Sequence, residues 1–272
     1  MKNEMVILKN YFDNMQVNLL TTAYTKCWND WREIDYIPQF NKFYYICDGE
    51  GWLKIGNDEY YPKPGELYLM PAGVLQSYSY ISKNTFLKYW CHFTATVGDI
   101  NIFDIIKTPL HIKIENRDEI ENAFKELILS YKSTGITSSL RIKSELLGII
   151  ALFFENFSAD DIHISSSSSV GALSTVMNYI EKNIGKNINV EELARLAGFH
   201  PNYFIKFFRK HLGISPMQYI NRKRMEMAKG LIKATDMTIS EIARRTGYKD
   251  PFYFSKLFKK YTGFSPSEYR KI

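Results

Sequence analysis

Residues 238–270 read TISEIARRTGYKDPFYFSKLFKKYTGFSPSEYR, and residues 189–222 read NVEELARLAGFHPNYFIKFFRKHLGISPMQYINR. The second stretch is an earlier copy of the first. Leu193-Ala194 matches Ile242-Ala243, Gly198-Phe199 matches Gly247-Tyr248, and Tyr203-Phe204 matches Tyr253-Phe254. Phe208-Arg209-Lys210 then matches Phe258-Lys259-Lys260, and Gly213-Ile214-Ser215-Pro216 matches Gly263-Phe264-Ser265-Pro266. Each copy predicts two short helices around a glycine turn. Asn189 and Thr238 are good N-caps with Glu192 and Glu241 three residues on, the reciprocal capping-box spacing. Gly198 and Gly247 end the first helix, and Pro201 and Pro251 begin the second, with Asp250 a better cap than His200. Helix, short glycine turn, helix is the helix-turn-helix pattern.

The second helix of each copy keeps its apolar residues on one stripe: Phe204, Phe207, Phe208 and Leu212, then Phe254, Leu257, Phe258 and Tyr261. The opposite face carries Asn202, Ile205, Lys206, Arg209 and Lys210 in the first copy, and Phe252, Ser255, Lys256, Lys259 and Lys260 in the second. Such a face is either a solvated helix surface or one fit for a DNA major groove. Charge distribution favours the groove. Residues 171–272 carry a net +11 and residues 1–170 a net −5, within an overall +6. Positive charge is concentrated where the repeated helices lie, as phosphate neutralisation requires.

The tandem resembles the DNA-binding domain of AraC-type transcription factors, on Glu241-Ile242-Ala243, Gly247-Tyr248, Tyr253-Phe254-Ser255, Phe258-Lys259-Lys260 and Ser265-Pro266. The resemblance implies two recognition helices entering successive major-groove segments on one face of a duplex, about one helical turn or roughly 34 Å apart. Lys206 and Lys256 are the first candidates for base edges, with Asn202 for adenine and Ile205 or Phe252 for thymine methyls; Ser255 lies on the same face. Lys249, Arg209, Lys210, Lys259 and Lys260 are candidates for phosphate. Ser215-Pro216-Met217-Gln218 opens a longer connecting helix to about Lys233, and Ser265-Pro266-Ser267-Glu268 repeats that start. Arg224 on the connecting helix either braces it or touches phosphate.

In the first half, all four tryptophans (Trp28, Trp31, Trp52, Trp90) fall among short alternating runs such as Phe43–Cys47 and Trp52–Ile55, parted by glycine-bearing turns. These are strand and hairpin signals at sandwich-like spacing. Gly65–Gln76, GELYLMPAGVLQ, is similar to the second motif of cupins, small jelly-roll barrels, and in AraC-type regulators such a barrel commonly precedes the DNA-binding domain. Metal-binding cupins place a histidine where this chain has Gln76, the upstream stretch has no His-x-His, and His92 and His111 lack evident partners. The expectation is therefore a binding cup with no metal, no cofactor and no catalysis. Candidates for its lining are Trp31, Arg32, Tyr44, Tyr45, Tyr78 and Trp90, aromatics suited to a sugar face plus one cation. The resemblance favours a small effector, often a carbohydrate.

Helical periodicity resumes from about Arg117 to Ser133 and from Leu140 to Phe157, the latter with a broad apolar face. That face either packs under the barrel or forms an antiparallel helix pair between two subunits. SADDIHISSSSS, from Ser158, is linker-like in composition. The expected organisation is an α+β two-domain chain. Residues 1–157 form a cupin-like, jelly-roll β-barrel with trailing helices at about 115–157. Residues 158–170 form a flexible linker, and residues 171–272 an all-α domain of two helix-turn-helix motifs joined by a long helix. No apolar run approaches ~20 residues, the N-terminus lacks a signal-peptide plan, and Cys27, Cys47 and Cys91 are too few and scattered for a disulfide framework. A cytoplasmic home without membrane contact is expected. The partners expected are double-stranded DNA, a small-molecule effector, a second copy of the chain as homodimer, and RNA polymerase as a further candidate. Two other readings are a cupin enzyme with a non-specific nucleic-acid-binding tail and a constitutive architectural DNA binder.

Overall fold

The computed structural model describes residues 2–158, 160–165 and 168–272. In chain order the first part comprises α1 (Lys2–Asp13), β1 (Gln16–Lys26), β2 (Arg32–Tyr36), β3 (Asn41–Asp48), β4 (Trp52–Ile55), β5 (Asp58–Tyr60), β6 (Glu66–Met70), β7 (Gln76–Ser79) and β8 (Leu87–Val97). Then come β9 (Ile100–Asn101), α2 (Ile102–Ile105), β10 (Ile106–Lys107), β11 (His111–Lys113), α3 (Arg117–Lys132), α4 (Ser138–Glu155) and β12 (His163–Ile164). The helical part comprises α5 (Ser168–Asn183), α6 (Val190–Leu196), α7 (Pro201–Leu212), α8 (Pro216–Ala234), α9 (Ile239–Arg245), α10 (Pro251–Thr262) and α11 (Pro266–Lys271). Tyr11–Ser165 form one compact unit; Ser166–Ile272 form a second, with which Lys2–Asn10 group instead of with the strands. The two-domain α+β class expected from sequence is the class found.

The strand unit holds two large antiparallel sheets, one ordered β1-β8-β3-β6-β11 with β9 also on β8 and the other β2-β7-β4-β5, and a small two-stranded sheet β10-β12. Side chains alternate across a strand, so each sheet has an inner and an outer face. Tyr44, Ile46, Tyr68 and Met70 from the first sheet pack against Leu53 and Ile55 from the second, with Cys27, Trp31 and Phe86 in the same cluster. The outer face of the first sheet is also covered. Phe43 lies 5.2 Å from Phe153 of α4, and Tyr89 stacks on Phe124 of α3 at 5.6 Å. The apolar stripes of α3 and α4 therefore serve the barrel through Ile120, Phe124, Leu127, Leu146, Ile149 and Phe153. Leu129, Leu140 and Leu147 remain exposed. The linker-like stretch is not uniformly loose. Its His163–Ile164 pair with Ile106–Lys107, and the Ser165 amide donates to Ile105 O. Ala159, Ser166 and Ser167 lie outside the described residues.

In the helical unit the caps follow the sequence with one exception. Thr238/Glu241, Ser215/Gln218 and Ser265/Glu268 form complete capping boxes. Asn189 accepts from the Glu192 amide at 2.8 Å, but the Glu192 carboxylate takes the Tyr179 hydroxyl of α5 and leaves the box half made. His200 does serve as a cap: its Nδ1 accepts from the Asn202 amide at 3.4 Å. The second core forms from Met225, Ala228, Ile242, Ala243, Tyr248, Phe254 and Phe258. Tyr261, expected on that stripe, is 47% exposed, because it lies at the far end of α10 beyond the core's reach.

Gly247 meets two demands at once. Its φ is +84°, and a Cβ there would lie 2.6 Å from Arg224 Nη2; at its repeat partner Gly198, φ is +73° but no atom lies within 4 Å. Gly198→Ala should therefore cost only left-handed backbone strain, about 1–2 kcal/mol. Gly247→Ala should cost more, because the guanidinium must also move. Urea unfolding of the two variants checks the order, and equal losses would show that the Arg224 packing is unimportant.

Candidate functional site

Two regions gather the candidate residues. The first is the outer face of α7 and α10. Both helices start on Pro and end on a left-handed glycine, Gly213 and Gly263, which fixes their length at three turns. Phe204, Phe207 and Phe208, and then Phe254 and Phe258, anchor their inner sides. Of the base-edge candidates, Asn202, Ile205, Lys206, Phe252 and Lys256 are exposed, and Phe252 stands 88% clear of its neighbours. Ser255 is half-buried, and its hydroxyl already donates to Pro251 O at 2.8 Å. The phosphate candidates Arg209, Lys210, Lys249, Lys259 and Lys260 are all exposed. Tyr203 and Tyr253, 57% and 56% exposed, occupy equivalent places at the start of the two helices. Helical periodicity had marked them only as part of the repeat.

Arg224 does not belong to this surface. It is buried, its Nε donates to Ile184 O at 3.0 Å, its Nη2 donates to Lys186 O, and its guanidinium lies 5.3 Å from the Tyr248 ring. It is a brace. The α5–α6 turn meets the second repeat at another point too, since a Cβ on Gly185 would lie 2.5 Å from Arg245 O. The Tyr248 hydroxyl completes the junction by donating to Asn221 Oδ1 of α8 at 3.1 Å.

The second surface is a cavity of about 160 Å³ inside the barrel. Trp31, Tyr44, Tyr78 and Trp90, four of the six sequence candidates, come together there. Trp31 stacks on Tyr78 at 4.4 Å, and Trp90 Nε1 donates to Thr25 Oγ1 at 3.1 Å. The other two candidates lie elsewhere. Tyr45 follows Tyr44 on β3 and so points to the opposite face, where the charges of Glu121 and Arg117 of α3 act on it. Arg32 is exposed on β2 and does not line the cavity.

The lining also holds Lys88 and His92, which sequence reasoning did not select. On β8, Lys88, Trp90 and His92 share the inner face. Lys88 Nζ lies 3.3 Å from the Tyr44 ring centroid and 4.0 Å from that of Trp31. Burial pulls its pKa down to about 7, with the nearby Lys42 adding to the effect. Lys42 itself is buried against the rings of Tyr36 and Tyr78, and burial lowers its pKa to about 8. Burial and both lysine charges hold His92 down to about 3, so its imidazole is neutral at physiological pH. Among the described residues no group of three or more His, Cys, Asp or Glu could hold a metal ion.

Comparison with known proteins matches both parts of the chain to family models. Residues 37–150 match the family model of the AraC-like ligand binding domain, and residues 192–272 match that of a helix-turn-helix domain. The chain is 26% identical over 213 residues to the Msm operon regulatory protein of Streptococcus mutans, covering 76% of this chain and 75% of that one. It is 26% identical to the lactose operon transcription activator of Staphylococcus xylosus, covering 76% and 75%. It is 28% identical to the raffinose operon regulatory protein RafR of Pediococcus pentosaceus, covering 84% and 83%.

The buried ammonium has a consequence for stability. Lys88 titrates near 10.5 when exposed and near 7 in the fold. Below pH 7 both states hold the proton, so the full cost of burying the charge is present. Between pH 7 and 10.5 the unfolded chain binds more protons, and stability rises with pH. Lys88→Met should therefore raise Tm at pH 7, with the gain shrinking at pH 9.5. A Tm gain independent of pH would mean that the lysine is buried at no electrostatic cost.

Proposed function

The chain belongs to the AraC-type transcription regulators, and from that membership we propose that its barrel senses a carbohydrate and thereby controls the grip of α7 and α10 on one operator. The observation that carries the reading is the pairing of two matched cationic helix faces with an aromatic cup in the same chain. The named relatives regulate lactose, raffinose and Msm operons, and aromatic walls suit sugar faces. Catalysis has no part in this reading: the relatives are regulators, and the cup offers stacking surfaces and cations without paired carboxylates. RNA polymerase is the partner through which a bound regulator would act.

Base reading falls to Lys206 and Lys256 with Asn202, Ile205 and Phe252, while Arg209, Lys210, Lys249, Lys259 and Lys260 hold phosphate. Arg224 acts one step back by fixing the separation of the two helices. The experiment is selection of bound duplexes from a random pool, followed by titration of variants on the selected site. Lys256→Ala should cost about 1–3 kcal/mol on that site and relax its sequence preference at one position. Lys259→Ala should weaken all duplexes alike and lower the salt slope by about 1. Uniform loss with Lys256→Ala would move that lysine to the phosphate set.

The regulator acts as a homodimer through α4. Leu140, Ser144, Leu147 and Ala151 form an exposed strip along the helix, with Leu140 at 68% and Leu147 at 41%, the spacing of an antiparallel helix–helix seam. Leu140→Glu combined with Leu147→Glu should convert a dimer to a monomer in sedimentation without lowering Tm substantially, since neither side chain serves the barrel core. A wild-type chain that sediments as a monomer at micromolar concentration would overturn the dimer.

A further inference from the structure

Two lysines are buried inside the barrel, and among the described residues no carboxylate lines its cavity. Strand register puts them in order. On β3 and β8 the facing pairs are Lys42 with His92, Tyr44 with Trp90, and Ile46 with Lys88. The two lysines therefore bracket the Tyr44–Trp90 row from opposite sides, and all six side chains share the inner face. Lys88 is 3% exposed and Lys42 is 2% exposed. Around Lys88 stand the Tyr44 and Trp31 rings, the Cys27 thiol, the neutral His92 and the second lysine, and no carboxylate lines the cavity. The Glu33 charge reaches Lys42 but belongs to the exposed edge of β2.

Burying an ammonium without a partner is expensive, and ring faces offset only part of the cost. The hydroxyls of a neutral sugar could accept hydrogen bonds from that ammonium but would bring no counter-charge. A ligand carrying an anion would supply a counter-charge to a side chain only 3% exposed, and charge-assisted bonds are the strong ones. The cavity, at about 160 Å³, lies well below the ~300–1,000 Å³ of drug-sized sites, which suits a single ring.

We propose that the effector is an acidic monosaccharide, a uronate or a sugar phosphate, whose anion pairs with the Lys88 ammonium while its ring packs on the Trp90 and Tyr44 row. This rests on the reading of the barrel as a carbohydrate sensor. Lys88 sets ligand class, and Lys42 completes the positive field from the far side of the aromatic row.

The test is calorimetric titration of the full-length chain, wild type and Lys88→Met, with matched probes: galactose, galacturonate and galactose 6-phosphate, the glucose equivalents, and benzoate as a non-sugar acid. Removing the ammonium gives up its ring contacts with Tyr44 and Trp31, and the Tm of Lys88→Met reports whether the barrel is folded. The expected result is that one acidic sugar binds wild type about tenfold or more tighter than its neutral parent, and that Lys88→Met abolishes the difference. The uronate and phosphate arms identify which anion is read. A neutral sugar bound as tightly as its acid, and equally by Lys88→Met, overturns the charge assignment and leaves the carbohydrate reading standing. Benzoate bound as tightly as the sugars overturns the carbohydrate reading itself. No binding by any sugar overturns both.

Discussion

One buried guanidinium ties together the turns beside the two helix-turn-helix repeats, and the proposed DNA-reading surface depends on that tie. Arg224 leaves α8, donates to the carbonyls of Ile184 and Lys186 in front of the first repeat, and lies against Tyr248 and Gly247 in the turn of the second. Two helix-turn-helix units on one chain can read adjacent groove segments only if their separation does not fluctuate. A long helix alone fixes distance along its axis but leaves each unit free to rock about its end. Ties from the middle of α8 to a turn on each side remove that freedom. The demand for space at Gly247 and Gly185 is the steric counterpart of the same junction, because both turns must approach closely enough for the guanidinium to reach them.

The architecture was legible wherever local chemistry and periodicity agree. Ser215-Pro216 and Ser265-Pro266 announce helix starts, Gly198 and Gly247 announce the turns, and both repeats fold as two short helices around them. The half-made box at Glu192 could not be read locally, since the carboxylate is diverted by a tyrosine from a different helix. Arg224 stayed ambiguous for the same reason. Its partners lie 38 and 40 residues away in sequence, and no spacing rule connects them.

The cup shows where alternation misleads. Polar residues on a strand ordinarily mark the solvent side, and nothing in the sequence singles out Lys88 or Lys42. The first sheet has no solvent side over β3 and β8, because the second sheet covers one face and α3 and α4 cover the other. Both sets of alternating residues are buried, and parity decides which of them face the side on which the cavity lies. Tyr44 enters and Tyr45 does not, although composition cannot tell them apart. Arg32, the one cation chosen from the sequence, stands outside, while two lysines that resembled ordinary strand polarity stand inside.

A sensing domain needs a free-energy difference that its ligand alone can release. A fully satisfied barrel would be more stable, but ligand entry would then exchange one set of good contacts for another. An anion pairing with Lys88, as proposed, would lower the free energy of the cup by an amount set by charge and not only by contact area. Ligand binding then stabilises the occupied form in proportion to ln(1 + [L]/Kd). Only the part of that energy that differs between two conformations can alter DNA binding. Electrostatic relief is well suited to that role, since a small displacement of an ammonium in a low-dielectric interior changes its energy far more than the same displacement of a methyl group.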